Sequence, residues 1–158
     1  MKMCTWLFLL FALFTAPAQA GSVHDLYAQK AESPVSDKVT IKVWTVHASN
    51  SHKEVDERLS RISKYLKNLN YSGFKLLSKD AAHLTPKGKQ KFQIAGGKVV
   101  KVTVLSRDQK RARVRVEVHG SKGKLVDTTV NIRRNGLFMV AGPKHKGGIL
   151  VLPIFARY

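Results

Sequence analysis

The amino-acid sequence predicts an α+β fold, with a β-α-β start followed by an antiparallel β-meander and one amphipathic helix packed on the sheet. Three patterns support this expectation: a β-branched and aromatic run, an apolar stripe at helical spacing, and a series of alternating runs divided by turn-forming residues. They follow one another within residues 38–158, a length that suits a single domain.

The first strand is predicted in the run VTIKVWTVH, which begins at Val39. Side chains of these β-branched and aromatic types are typical of strands. Ile41 and Val43 share a face with Val39, whereas Trp44 and Val46 lie on the other face. We therefore expect this strand to be covered on both sides.

A helix is predicted next, because five apolar residues recur at spacings of 4, 3, 4 and 3 and form one stripe: Val55, Leu59, Ile62, Leu66 and Leu69. Ser51 followed by Glu54 fits a capping box, and Asp56 is the rival N-cap. Asn70 and Gly73 are expected to end the helix. Its outward residues are basic and are interpreted as a solvated face: Arg58, Arg61, Lys64 and Lys67.

Beyond the helix the chain is predicted to be β-structure to its end. A short strand at 74–77 and a turn at Pro86 precede six further strands, at residues 89–94, 98–105, 111–119, 125–133, 137–141 and 149–155. Three-residue loops are expected at 95–97, 108–110 and 121–123. Asn135-Gly136 predicts a two-residue hairpin, since both of its central residues need a positive φ.

Loop length sets which residues oppose one another in the meander. The three-residue loops give these pairs: Phe92 with Val100, Val104 with Val114, and Val118 with Val126. One face of the meander is then apolar: Phe92, Ile94, Val100, Val102, Val104, Val114, Val116, Val118, Val126, Val130 and Ile132.

The other face of the meander is predicted to be basic: Lys89, Lys91, Lys101, Arg111, Arg113, Arg115 and Arg133. Glu117 is its main acidic interruption and is expected opposite Lys101. Two interpretations stand side by side. The face binds anions, or it is a solvated strand face whose Lys and Arg stems cover apolar surface and keep the domain soluble.

Positive charge dominates the composition. The chain has 28 Lys and Arg residues against 10 Asp and Glu residues, a net charge of +18. Residues 86–158 alone hold 17 of the basic and 3 of the acidic residues. Such an excess favours anionic partners, although it says nothing about the fold.

A glycine-rich segment at 142–148 is a second candidate anion site, with Lys144, His145 and Lys146 as its charged residues. Glycines allow the backbone to turn its N–H groups toward a phosphate, sulfate or carboxylate. The alternative is an ordinary hairpin loop rich in turn-forming residues, because the ending and helix of a P-loop are missing.

The N-terminal residues have the pattern of an export signal. Lys2, an apolar run from Trp6 to Phe14 and small residues at Ala18 and Ala20 predict a cleavable signal peptide over 1–20. Residues 21–37 are interpreted as a flexible lead-in. The protein is therefore expected to be exported, either periplasmic or secreted.

Catalysis is not expected from the motifs. The sequence has no Gly-x-Ser-x-Gly elbow, and its single cysteine, Cys4, lies inside the predicted signal peptide. Its six histidines show no metal-ligand spacing. No catalytic residue, cofactor or metal is predicted, and no resemblance to a family is found.

The leading hypothesis is a non-catalytic, exported binding or assembly domain of the bacterial envelope. Its partner is expected to be an anionic surface, such as lipopolysaccharide or acidic phospholipid, or an acidic protein. Peripheral membrane contact fits this hypothesis, and no membrane-spanning segment is expected after signal cleavage. The alternatives are non-specific contact with nucleic acid outside the cytoplasm and a small secreted hydrolase with an unrecognised site.

Overall fold

The structure, a computed structural model, describes residues 37–158. The predicted signal peptide, and all of the predicted lead-in except Asp37, lie outside the described residues. Within them the protein is predominantly antiparallel β-sheet with one short helical segment, which is α+β in the broad sense.

Eight strands and one helical segment make up the described part of the chain. The strands are β1 Val39–Ser49, β2 Gly73–Leu84, β3 Lys89–Ile94, β4 Lys98–Arg107, β5 Arg111–Gly120, β6 Gly123–Arg133, β7 Gly136–His145 and β8 Gly148–Arg157. Between β1 and β2 lies the helical segment, a 3-10 helix at Glu57–Ile62 continued by the α-helix α1 at Ser63–Leu66.

The strands form two four-stranded sheets. Sheet A has the order β2-β1-β8-β7, and sheet B has the order β3-β4-β5-β6. Every pairing between these strands is antiparallel. Strands that follow one another in the chain lie side by side within each sheet, and β8 pairs with β1.

One continuous core joins the two sheets. Sheet B contributes its apolar face to this core, from Phe92 to Ile132, and sheet A contributes alternate residues of β1 and β8, such as Ile41 and Ile154. The apolar face of the meander is therefore covered by a second sheet. The expectation that the helix covers it is wrong.

The helical segment packs on the opposite, outer face of sheet A. Leu59, Ile62 and Leu66 are buried in a second cluster that includes Trp44 and Val151. Sheet A has this second apolar face because the side chains of β1 and β8 are apolar on both sides of the sheet. Two-sided burial of β1 is what its sequence predicts.

The helical segment is shorter than the apolar stripe implies, and Asp56 rather than Ser51 is its N-cap. The chain before it stays extended, because backbone hydrogen bonds from the Asp56 N–H to the Phe74 carbonyl and from the Phe74 N–H to the Glu54 carbonyl tie it to β2. Val55 consequently lies outside the stripe and is 47% exposed. Tertiary pairing has overridden helical periodicity here.

The predicted registers within sheet B are confirmed: Phe92 with Val100, Val104 with Val114, and Val118 with Val126. The loops at 95–97 and 108–110 have the expected three residues, whereas the β5–β6 turn has only two, 121–122. The register shifts near the second and third of these turns, between Val104 and Ser106 and between Val118 and His119. A β-bulge adds one residue to a strand, so in β6 it keeps the predicted register although the turn is shorter.

The hairpin predicted at Asn135-Gly136 is wrong. Asn135 does have a positive φ of 55°, but β6 and β7 belong to different sheets and do not pair, so this turn carries the chain from sheet B to sheet A. A two-residue hairpin with positive φ at both central residues is instead found at Lys146-Gly147, between β7 and β8. Strand β2 is also longer than predicted. The sequence did not indicate its second half, because that half is polar and alternates weakly.

Among residues 37–158, no helix has the length and apolar character needed to cross a bilayer.

Candidate functional site

The seven basic residues predicted on the meander lie on the outer face of sheet B, which we call the basic face: Lys89, Lys91, Lys101, Arg111, Arg113, Arg115 and Arg133. Their placement follows from the register, because opposed residues of an antiparallel ladder share a face. Lys91 pairs with Lys101, which pairs with Glu117, and Arg111 pairs with Arg133. The alternate residues of the same strands face the core.

A charge network occupies the end of the basic face near the β5–β6 turn. Glu117 is only 6% exposed and lies 3.0 Å from the Lys101 ammonium and 2.9 Å from that of Lys124. The Arg115 guanidinium donates two hydrogen bonds to Asp127, at 2.8 and 2.7 Å, and Lys124 donates a third at 2.7 Å. Three cations and two carboxylates leave this network with one net positive charge.

The cations hold both carboxylates in the ionised form. Hydrogen bonds from Lys124 and then Lys101 lower the pKa of Glu117 to about 2. Hydrogen bonds from Arg115 and then Lys124 hold the pKa of Asp127 well below its usual range. Neither group is therefore a proton donor near neutral pH, and each carboxylate is held by two cations of the network.

Five cations of the basic face lie outside this network: Lys89, Lys91, Arg111, Arg113 and Arg133. All are exposed, and none has an ion-pair partner within residues 37–158. The third acidic residue of 86–158, Asp108, accepts hydrogen bonds from the backbone N–H groups of Lys110 and Arg111 in the β4–β5 turn. These backbone bonds lower its pKa. Asp108 therefore forms no ion pair with any of the five cations.

Lys144, His145 and Lys146 lie elsewhere, at the β7–β8 hairpin of sheet A, so the structure does not bring them onto the basic face. Most of the predicted loop is strand, and two of its three glycines lie where a side chain would not fit. A Cβ on Gly142 would approach the Leu150 carbonyl oxygen to 2.6 Å, and one on Gly148 would collide with the Ala48 carbonyl oxygen. Lys144 and His145 are paired with Ile149 and Gly148 in the β7–β8 ladder, so the turn itself is reduced to Lys146-Gly147.

The hairpin instead contributes to a small cluster of histidines. The rings of His47 and His145 meet edge to face with centroids 5.5 Å apart, and the His47 ring nitrogen Nε2 lies 3.0 Å from the His145 carbonyl oxygen. Burial and then the neighbouring His47, Lys98 and Lys146 lower the pKa of His145. At neutral pH the His145 ring is therefore uncharged, and the positive charge of this hairpin comes from its lysines.

Sequence reasoning missed two members of the charge network, Lys124 and Asp127. Lys124 lies beside the bulge that shifts the register of β6, so simple alternation does not place it correctly. Asp127 is opposite Glu117, and two adjacent carboxylates are stable there only because three cations surround them. The sequence signal for this network was the alternation of acidic and basic residues along the two paired strands β5 and β6.

The fold and this surface define a two-sheet antiparallel β-protein with a cationic outer sheet face. No family model, no curated protein and no solved structure matches the chain. Within residues 37–158, no three His, Cys, Asp or Glu side chains are grouped so as to hold a metal ion.

Proposed function

We propose that the protein is an exported, non-catalytic binding domain of the bacterial envelope, periplasmic or secreted, that contacts an anionic surface through its basic face. The surface is lipopolysaccharide or acidic phospholipid, and an acidic protein is the alternative partner for the same face. One observation carries the proposal: five exposed cations on one sheet face have no acidic partner among the described residues.

The shape of the basic face suits an extended partner. Four strands spaced about 4.8 Å apart present a face roughly 15 Å across, so the cations are spread in two dimensions rather than gathered in a pocket. Such an array gains from many anionic groups at once, as a headgroup layer offers. The attraction is screened by salt, so binding should weaken as ionic strength rises.

Nucleic acid is the second candidate, and the composition of the basic face argues against it. Single strands bind by stacking of their bases on aromatic side chains as well as by charge. The only Phe, Tyr or Trp between residues 89 and 133 is Phe92, which is buried in the core. Duplex DNA could still contact the cations through its phosphates, without reading sequence.

A hydrolase is the candidate from another class. Its general acid would need a carboxyl group with a raised pKa. The carboxylate pair on this face has lowered pKa values instead, and the positions of Glu117 and Asp127 are explained by the cations around them. We therefore favour binding.

The test is co-sedimentation of the full chain with phosphatidylglycerol vesicles over a salt series, with phosphatidylcholine vesicles as the uncharged reference. The triple variant Lys91→Gln, Arg113→Gln and Arg133→Gln removes three cations of the basic face. The matched control, Lys53→Gln, Lys67→Gln and Lys75→Gln, removes the same charge at exposed positions outside it. We expect the basic-face variant to lose about tenfold or more in affinity, because each cation near an anionic membrane contributes roughly 1 kcal/mol.

Equal losses in the two triple variants would show that net charge alone drives binding, and would overturn the assignment to this face. Retention on duplex DNA that exceeds vesicle binding at the same salt would favour the nucleic-acid alternative.

A further inference from the structure

A cleft of about 700 Å³ lies on the outer face of sheet A, on the other side of the sandwich from the basic face. The helical segment covers only part of this face, and the cleft opens where that cover ends. Its walls are the helical segment at Arg61 and Tyr65, the edge strand β2 at Lys79, and the start of β7 at Leu137. We call it the aromatic cleft.

The floor of the aromatic cleft is apolar. The rings of Trp44 and Phe155 meet with centroids 4.8 Å apart, and Ile62 and Leu137 continue the apolar surface on either side. Tyr65 stands at the rim and is 42% exposed. This floor exists because β1 and β8 carry large apolar residues on both faces and the helical segment is too short to bury all of them.

Five cations line the aromatic cleft: Lys42, Arg61, Lys64, Lys79 and Arg157. The Lys79 ammonium lies 4.2 Å from the centre of the Trp44 ring, and that of Lys64 lies 5.0 Å from the Tyr65 ring. None of the five has an ion-pair partner among the described residues. The one acidic residue lining the cleft is Asp80, which accepts a hydrogen bond from Ser78 at 3.0 Å.

We propose that the aromatic cleft binds one molecule of an amphiphilic anion, with an acidic group held by the cations and an apolar body on the Trp44–Phe155 floor. Its volume falls in the range of small-molecule sites. The two features are complementary to one ligand class: cations alone would take a bare phosphate, and an apolar floor alone would take a neutral lipid. Lys79, stacked on Trp44, places charge directly beside apolar surface, which matches the junction of headgroup and apolar body.

This proposal is independent of the proposed function, because it uses different residues on a different sheet. It concerns a monomeric ligand in a cleft, whereas the basic face contacts an extended surface. Either one can fail while the other stands.

The probe is dihexanoyl phosphatidic acid, used as a monomer, with dihexanoyl phosphatidylcholine and inorganic phosphate as reference ligands. The chain has two tryptophans, so Trp6→Phe makes Trp44 the sole emitter. We expect saturable quenching or a spectral shift of Trp44 with one ligand bound per chain. Affinity for the acidic lipid should exceed that for either reference ligand by about tenfold or more. Equal binding of inorganic phosphate would show an anion site without an apolar component and overturn the proposal.

Variants locate the site, with calorimetry as a readout that does not depend on Trp44. Lys42→Gln with Lys79→Gln should weaken binding about tenfold, and the matched pair Lys67→Gln with Lys75→Gln, which removes equal charge outside the aromatic cleft, should leave it unchanged. If the Lys42→Gln, Lys79→Gln double variant fails to fold, Arg61→Gln on the opposite wall of the cleft is the second test. Equal effects of the cleft pair and the matched pair would contradict the site.

The basic-face variant separates the two proposals. Lys91→Gln, Arg113→Gln and Arg133→Gln should weaken vesicle co-sedimentation by about tenfold or more and leave binding of the monomeric acidic lipid intact. Loss of both activities in this variant would place the lipid on the basic face and overturn the aromatic cleft.

Discussion

The two outer faces of the molecule use positive charge differently. The outer face of sheet B is a bare strand face, where cations alternate with buried valines and two carboxylates pair with three cations near the β5–β6 turn. The outer face of sheet A is apolar, partly covered by the helical segment, and has its cations around an aromatic floor. Charge on open surface attracts any polyanion, whereas charge beside apolar surface can select a ligand.

The difference arises from the strands themselves. In sheet B the strands have apolar residues on one face only, and sheet A packs against that face. In β1 and β8 both faces are apolar, so sheet A must be packed against on both sides. Sheet B packs on one side, and the helical segment, which extends only over 57–66, packs on the other.

Removing the cover of sheet A should have the largest effect. Leu59 belongs to the helical segment and is fully buried against sheet A, so Leu59→Ala should lower the free energy of unfolding by about 2–5 kcal/mol, measured by urea denaturation. The control on the bare face is Thr129→Ala, which should change stability by less than about 0.5 kcal/mol. Similar losses for the two variants would mean that the outer faces do not differ as described.

Glu117→Gln should raise anion affinity and lower stability together. It removes the one carboxylate that pairs with Lys101, whereas Lys124 keeps Asp127, so the basic face gains one net positive charge and should bind phosphatidylglycerol vesicles several-fold more tightly at low salt. It also removes one of the two carboxylates that hold the network together, so the melting temperature should fall by several degrees. Unchanged vesicle binding would show that this end of the basic face does not take part.

The same residue predicts a dependence on acid pH. The pKa of Glu117 is lowered in the fold to about 2 from an ordinary 4.5, so its stabilising contribution is present above pH 4.5 and is lost as pH falls toward 2. A comparison of melting temperatures from pH 6 to pH 2 should show a shallower decline in Glu117→Gln than in the parent. Parallel curves would contradict the pKa assignment.

The smallest effect is expected at the β7–β8 hairpin. Lys146 has a φ of 41°, which costs a residue with a Cβ more than it costs glycine, so Lys146→Gly should raise the free energy of unfolding by about 0.5–1 kcal/mol. Lys122→Gly is the matched control in the β5–β6 turn, where φ is not positive and glycine should destabilise. Vesicle binding should be unchanged, because Lys146 lies outside the basic face. A loss of vesicle binding would place the hairpin at the anionic surface.

Sequence patterns predicted sheet B more completely than any other part. The register of Phe92 with Val100 and of Val118 with Val126 follows from side-chain alternation and loop length, because a slip of one residue would expose every valine. The same reasoning places the seven cations on one face. It did not place Lys124 and Asp127 in the charge network, because a bulge shifts the register beside them and bulges leave little trace in a sequence.

The aromatic cleft could not be predicted in this way. Trp44 and Phe155 are more than a hundred residues apart in the chain and become neighbours only because β8 pairs with β1. The capping box at Ser51 was misleading, since hydrogen bonds between Phe74 and residues 54 and 56 keep the chain extended and start the helical segment later. A longer helix could have filled the cleft.

The sequence by itself determined which residues of each strand share a face, because side chains alternate along a strand whatever its partners. Only the tertiary structure decided what each face meets: sheet B against sheet A, the helical segment on the outer side of sheet A, and Asn135-Gly136 as a passage between sheets. Strand alternation is local, whereas the choice of covering surface depends on non-local pairing that no local pattern encodes.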